Sequence, residues 1–108
     1  MQKKILFLGA APTQIPPLRY ALTQGHHVVT CDNLPTNLGH LLSHQSFEVS
    51  TTDKEAVLRL AEHLNIDGIV AYASDPSAPT AAYVAEKMGL PGNPYQACLL
   101  YTSDAADE

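Results

Sequence analysis

Two groups of residues carry the side chains with the clearest chemical use. Asp32 closes the apolar run His27-Val28-Val29-Thr30-Cys31-Asp32, and Ser74-Asp75-Pro76 follows the run from Asp67 to Ala73. An acid at the end of a second strand is where dinucleotide enzymes hold a ribose hydroxyl. The same placement also suits a plain turn former, whose carboxylate bonds to the backbone that follows. Ser74 and Asp75 offer a hydroxyl and a carboxylate. Asp75 could hold an amine or hydroxyl of a substrate, or cap the Pro76-Ser77 turn. Ahead of both groups in the chain stands Gly9-Ala10-Ala11-Pro12, a small-residue turn that leaves backbone room for a ligand.

Other reactive residue types make weaker patterns. His40 and His44 are four apart and could share a helical face, which is a metal-ligand spacing. Nothing nearby completes a ligand set, so they and the His26-His27 doublet are expected to be exposed polar residues, and no metal site is assigned. Cys31 and Cys98 show no metal or redox spacing, and a reduced compartment is the simpler expectation. No catalytic residue is assigned.

These residues need elements to position them. Ile5-Leu6-Phe7-Leu8 is apolar without alternation, as suits a strand covered on both faces by helices. Past the turn, Ile15, Leu18, Ala21 and Leu22 form an apolar stripe at helical spacing that Gly25 ends. Pro16 and Pro17 fit a first helical turn, where their missing donors would be unsatisfied anyway. The turn departs from the dinucleotide fingerprint: Gly9, Ala11 and Gln14 stand where three glycines are needed, and Pro12, Pro16 and Pro17 lack N–H groups for a phosphate.

Farther along, Asn33 to His44 reads as a polar loop with one helical turn at Gly39-His40-Leu41-Leu42, and Phe47-Glu48-Val49 as a short outer strand. Thr52-Asp53-Lys54-Glu55 is a capping box ahead of Val57, Leu60, Ala61 and Leu64, an amphipathic helix with no chemistry assigned. Asp67 to Ala73 is a strand. A helix with Ala81, Val84, Ala85 and Met88 facing inward then ends at Gly89, and Asn93-Pro94 starts another. The sum is an α/β, Rossmann-like three-layer domain with a parallel sheet of four or five strands in the order 3-2-1-4(-5). Ligands in such sheets bind outside the carboxyl ends of the strands, at the switch point between strands 1 and 4. Gly9, Ala10, Ala11, Asp32, Ser74, Asp75 and Pro76 are therefore the candidate substrate-binding residues.

The chain has 108 residues, 45% hydrophobic and 16% charged, with a net charge of −5. That fits one globular domain. No apolar run approaches the roughly 20 residues of a membrane span, no signal-peptide pattern precedes the first strand, and no basic cluster suggests nucleic acid. A cytoplasmic location is expected, without nucleic-acid or membrane partners. Residues 98–108, CLLYTSDAADE, resemble the in-frame translation of a sequencing-library adapter and are expected to be non-native. Without Asp104, Asp107 and Glu108 the net charge is −2. The sequence reads as cut after Ala97, because a helix of one turn has no stability of its own.

In this order, KILFLGAAPTQIPPLRYALTQGHHVVTCD, VSTTDKEAVLRLAEHLNIDGIVAYASD and KMGLPGNPYQA resemble the N-terminal (pre-ATP-grasp) domain of an ATP-grasp carboxylate-amine ligase, the superfamily of carbamoyl-phosphate synthase and biotin carboxylase. The resemblance covers Lys3 to Ala97 and is unspecific as to substrate. It implies that residues 1–97 form this domain, with Gly89 to Pro94 handing the chain to an ATP-binding part. It further implies ATP-driven formation of an acyl phosphate that an amine then attacks, with ATP and Mg2+ held mainly by residues downstream. The fragment alone is then expected to bind no cofactor and to lack activity. Its strand-end loops would face a small carboxylate or amine substrate, and it could take part in a homodimer. The competing readings are an NAD(P)-binding domain of an oxidoreductase, with Asp32 on the ribose, and a non-catalytic small-ligand-binding module.

Overall fold

The computed structural model describes residues 2–33, 36–71 and 77–90. Four strands, β1 (Lys4–Leu8), β2 (His27–Asp32), β3 (Gln45–Glu48) and β4 (Gly68–Val70), form one parallel sheet in the order β3-β2-β1-β4. The helices are α1 (Ile15–Thr23), entered through a 3-10 turn at Pro12–Gln14, then α2 (Gly39–Leu42), α3 (Lys54–Leu64) and α4 (Ala78–Met88). This is the expected α/β architecture and strand order. The expected fifth strand falls outside the described residues, as do the helix expected at Asn93-Pro94 and the tail at 98–108.

The unbroken apolar pattern of β1 has a direct cause: both faces of the sheet are covered. Leu6 and Leu8 turn to one side, where they join Val29 and Cys31 of β2, Val57, Ala61 and Leu64 of α3, and Val84 of α4. Phe7 turns to the other side with Val28, against Leu18 and Ala21 of α1. Leu6, Leu8, Leu18, Val28, Val29, Val57 and Val84 are fully buried, and each such side chain contributes about 1.5–3 kcal/mol over leaving it in water. On α4, Ala82 and Thr80 are buried in addition to the expected Val84 and Ala85, while Ala81 and Met88 are half-buried.

Two element starts differ from the sequence reading. Helix α3 is capped by Asp53, whose Oδ1 accepts the Ala56 N–H at 3.2 Å, and not by a box from Thr52 to Glu55. Moving the cap by one residue puts Ala56 at the box partner's position, so capping is one-sided. Strand β3 begins two residues early, at Gln45 instead of Phe47, because its register is fixed by β2: Val29 faces Gln45 and Cys31 faces Phe47. That keeps Phe47 on the α3 side of the sheet. Helix α3 ends at Asn65 with φ 55°, the left-handed conformation that Asn tolerates better than most residues.

Candidate functional site

The turn after β1 and the end of β2 meet at the carboxyl end of the sheet, where the switch point between β1 and β4 lies. Gly9 has φ +113°, outside the range of residues with a side chain, and a Cβ there would stand 3.2 Å from Gln14 Cδ. Its N–H donates to Cys31 O at 2.8 Å. The Ala10 N–H donates to Asp32 Oδ2 at 2.9 Å. The Ala11 N–H donates to Gln14 Oε1 at 3.0 Å, and the Gln14 N–H returns a bond to Ala11 O at 2.9 Å. All three N–H groups of the turn are thus engaged within the chain. A phosphate cradle requires such donors to face the ligand, and this turn spends them on its own closure.

A strap from the β2–α2 connection closes over the same turn. The Gly39 N–H donates to Ala10 O at 2.7 Å, and Asn37 Nδ2 donates to Asp32 Oδ2 at 3.0 Å. Only glycine fits at position 39, since a Cβ would lie 2.6 Å from Ala10 O and 2.8 Å from Ala10 Cα, both backbone atoms. Asp32 is buried, and one of its oxygens serves both Ala10 and Asn37. These two bonds of Asp32 are not the expected turn bond to the backbone that follows; its carboxylate reaches back 22 residues to the Ala10 N–H and across to the Asn37 side chain, tying the β1 turn to the strap. The turn, Asp32 and the strap are therefore brought together as one braced wall.

Ser74, Asp75 and Pro76 lie outside the described residues. Their neighbour Ser77 is buried, and its Oγ donates to Thr51 Oγ1 at 2.7 Å instead of capping α4. That bond ties the approach to α4 to the loop between β3 and α3. Cys31 is fully buried beneath the wall; burial, with a lesser contribution from the Asp32 carboxylate, pushes its thiol up to about 12, so it is no nucleophile near neutral pH.

Of the histidines expected to be exposed, His44 is, whereas His40, His26 and His27 are half-buried. His40 is half-buried with Nδ1 2.7 Å from Thr30 Oγ1, and its Nε2 is buried without a hydrogen-bond partner among the described residues. His44, itself exposed, accepts the Val28 N–H on Nδ1 at 3.0 Å, and its ring stacks on His27 with centroids 4.7 Å apart. Among the described residues no group of three or more His, Cys, Asp or Glu side chains could hold a metal ion, and no helix is long and apolar enough to cross a membrane. Sequence reasoning missed Gln14, Asn37, Gly39 and Thr51. Gln14 alone left a trace, as a polar residue at the position where the fingerprint wants glycine.

No family model and no curated protein matches the chain. Solved structures do. Phosphoribosylglycinamide synthetase from Anaerococcus prevotii is 22% identical and superposes with a TM-score of 0.83 over 90% of this chain and 25% of its own. N5-carboxyaminoimidazole synthetase from Staphylococcus aureus, complexed with ADP, is 21% identical with a TM-score of 0.70 over 89% of this chain and 25% of its own. Both are ATP-grasp carboxylate-amine ligases, so the expected likeness holds at the level of fold. The Bordetella bronchiseptica enzyme WbmH in complex with NAD+ is 19% identical with a TM-score of 0.65, over 83% of this chain and 37% of its own. The chain spans about a quarter of the length of the two ligases.

Proposed function

We propose that residues 1–97 are the substrate-side domain of an ATP-dependent carboxylate-amine ligase whose ATP- and Mg2+-binding residues lie elsewhere in a longer polypeptide. The fold is shared by ligases and by an NAD+ enzyme, so it does not by itself choose between them. The engagement of every N–H of Gly9, Ala10 and Ala11 supports the ligase reading. A dinucleotide domain needs those donors for its pyrophosphate and a strand-end acid for its ribose, and here the acid holds Ala10 and Asn37. The higher TM-score and wider coverage of the phosphoribosylglycinamide synthetase match point the same way.

In such a ligase a carboxylate takes the terminal phosphoryl group of ATP, releasing ADP. An amine then attacks the acyl carbon, phosphate leaves, and an amide remains. The β1 turn does not fit a nucleotide phosphate, so no part of phosphoryl transfer is assigned to it. Its role, with Asp32, is to form a wall against which the carboxylate or amine substrate is placed, and Ser74, Asp75 and Pro76 are the further candidate contacts. Calorimetric titration of the purified chain with NAD+ and with MgATP tests this. Neither is expected to bind, and no ATP hydrolysis is expected. NAD+ binding that weakened on Asp32→Asn would overturn the proposal in favour of an oxidoreductase domain. Sequencing the source DNA past codon 97 is the companion test. The proposal expects an open frame leading to lysine- and glycine-rich ATP-binding segments, and a frame that closes directly after the tail would favour a small-ligand-binding module.

A further inference from the structure

We infer that His40 and His44 form a proton-sensitive latch holding the strap of residues 37–45 onto β2, and through it the clasp on the β1 turn. Two histidine hydrogen bonds form the latch, whichever ligand the wall faces. The first bond is unusual in kind. At the start of β3 the His44 N–H donates to Val28 O at 2.8 Å, while the Val28 N–H is accepted by the imidazole Nδ1 of His44 at 3.0 Å. A side-chain nitrogen thus fills the ladder position of a backbone carbonyl. It can accept only while Nδ1 carries no proton, which makes neutral His44 the Nε2–H tautomer.

The second bond has the opposite sense. Ser43 Oγ donates its single proton to His40 O at 2.9 Å, so it accepts from Thr30 Oγ1 at 3.0 Å. Thr30 has then used its own proton, and the contact at 2.7 Å is His40 Nδ1–H donating to Thr30 Oγ1. Neutral His40 is therefore the Nδ1–H tautomer, with a bare Nε2 buried and without a partner among the described residues. A second proton on either ring is unwelcome for a different reason. On His44 it sets a donor against the Val28 N–H. On His40 it buries a charged N–H with no acceptor among the described residues.

The surroundings offer little to compensate. The His27 ring is stacked on His44 and donates through Nε2 toward Gln45 Oε1 at 3.0 Å, so His27 is a second potential cation and not a counter-charge. On the adjoining elements the charged and titratable groups are Lys3, Lys4 and His26 beside β1 and β2, Cys31 and Asp32 at the end of β2, Arg19 and Tyr20 on α1, and Glu48 on β3. Lys4 Nζ is bound to Leu64 O, His26 Nδ1 accepts the Lys3 N–H, and Asp32 holds Ala10 and Asn37. Histidine is the side chain whose charge ordinarily changes between about pH 5 and 8. Acidification across that window should loosen the strap and free Ala10 O and Asp32, while α3 and α4 stay packed.

The test is nuclear magnetic resonance on the full chain. Near pH 8, imidazole nitrogen shifts should show His44 as the Nε2–H tautomer and His40 as the Nδ1–H tautomer; reversed assignments overturn the inference. From about pH 8 to about pH 5.5, amide-exchange protection at Val28 and Gly39, corrected for intrinsic rate, should fall about tenfold, while Ala61 in α3 keeps its protection. Equal loss at Ala61 overturns the inference, since that would be global unfolding. His44→Asn offers Oδ1 in place of Nδ1 and should retain the Val28 bond, whereas His44→Gln should not. The double variant H40N/H44N should lose the acid response, and an unchanged response overturns the latch.

Discussion

Replacing Gly39 by alanine probes the clasp at the carboxyl end of the sheet. The added Cβ would stand 2.6 Å from Ala10 O, 2.8 Å from Ala10 Cα and 3.0 Å from Ala10 C, and backbone atoms cannot rotate away as a side chain does. Overpacking of this kind costs about 1–3 kcal/mol. Displacing the strap also strains the Gly39 N–H to Ala10 O bond, a further loss of about 1 kcal/mol. Alanine recovers up to about 1 kcal/mol through helix propensity, and less in a helix as short as α2. The net expectation is a destabilisation of about 1–3 kcal/mol, which for a domain of this size lowers the unfolding midpoint by roughly 4–8 °C per kcal/mol. Urea and thermal unfolding followed by circular dichroism read it directly. Gly68→Ala is the control, with open space around its Cβ and no positive φ, and should stay within about 0.5 kcal/mol of the parent. A Gly39→Ala chain no less stable than the Gly68→Ala chain refutes the clasp.

Further expectations concern the elements around it. Asp32→Ala leaves the Ala10 N–H and Asn37 Nδ2 without the Oδ2 acceptor and should cost about 1–3 kcal/mol in urea unfolding, whereas Asp32→Asn should cost less because its carbonyl oxygen can still accept. Asp53→Ala removes the α3 cap and should cost about 1 kcal/mol, whereas Thr52→Ala should be close to neutral in the same assay. Cys31 should resist iodoacetamide in the native chain near pH 8 and react once urea unfolds it, as mapped by mass spectrometry. Its thiol is held up to about 12 from an ordinary 9.0, so the unfolded chain ionises first as pH rises. Stability should therefore fall between about pH 9 and 12, by up to about 1.4 kcal/mol per pH unit.

The elements whose signals are local were readable from the sequence. Ile5 to Leu8 announced a strand covered on both faces, and Val57, Leu60, Ala61 and Leu64 announced the stripe of α3. Errors arose where a distant partner decides. The start of β3 depends on its pairing with Val29 and on His44 completing the ladder, neither of which periodicity records. The α3 cap fell to Asp53 because two adjacent residues could each have served, and only the backbone turn selects between them. The site was half legible. Topology brought Gly9 to Ala11 and Asp32 together as expected, yet the strap through Asn37 and Gly39 could not be foreseen, because a glycine demanded by close approach looks the same in sequence as one demanded by a turn. His40 shows the same limit: a spacing of four suggested a shared outward face, and burial against Thr30 overrode it.

The central position of β1 also bears on how the chain is made. Within this domain β1 is made before both of the strands it pairs with, β2 soon after it and β4 only after about sixty further residues. At synthesis rates of about 5–20 residues per second, Leu6 and Leu8 wait several seconds before α3 and β4 exist to cover them. During that interval the nascent chain presents a sticky half-sheet, β1 and β2 backed by α1 alone. A pause in translation before codon 70 would lengthen the exposure and favour capture by a chaperone or by another nascent chain.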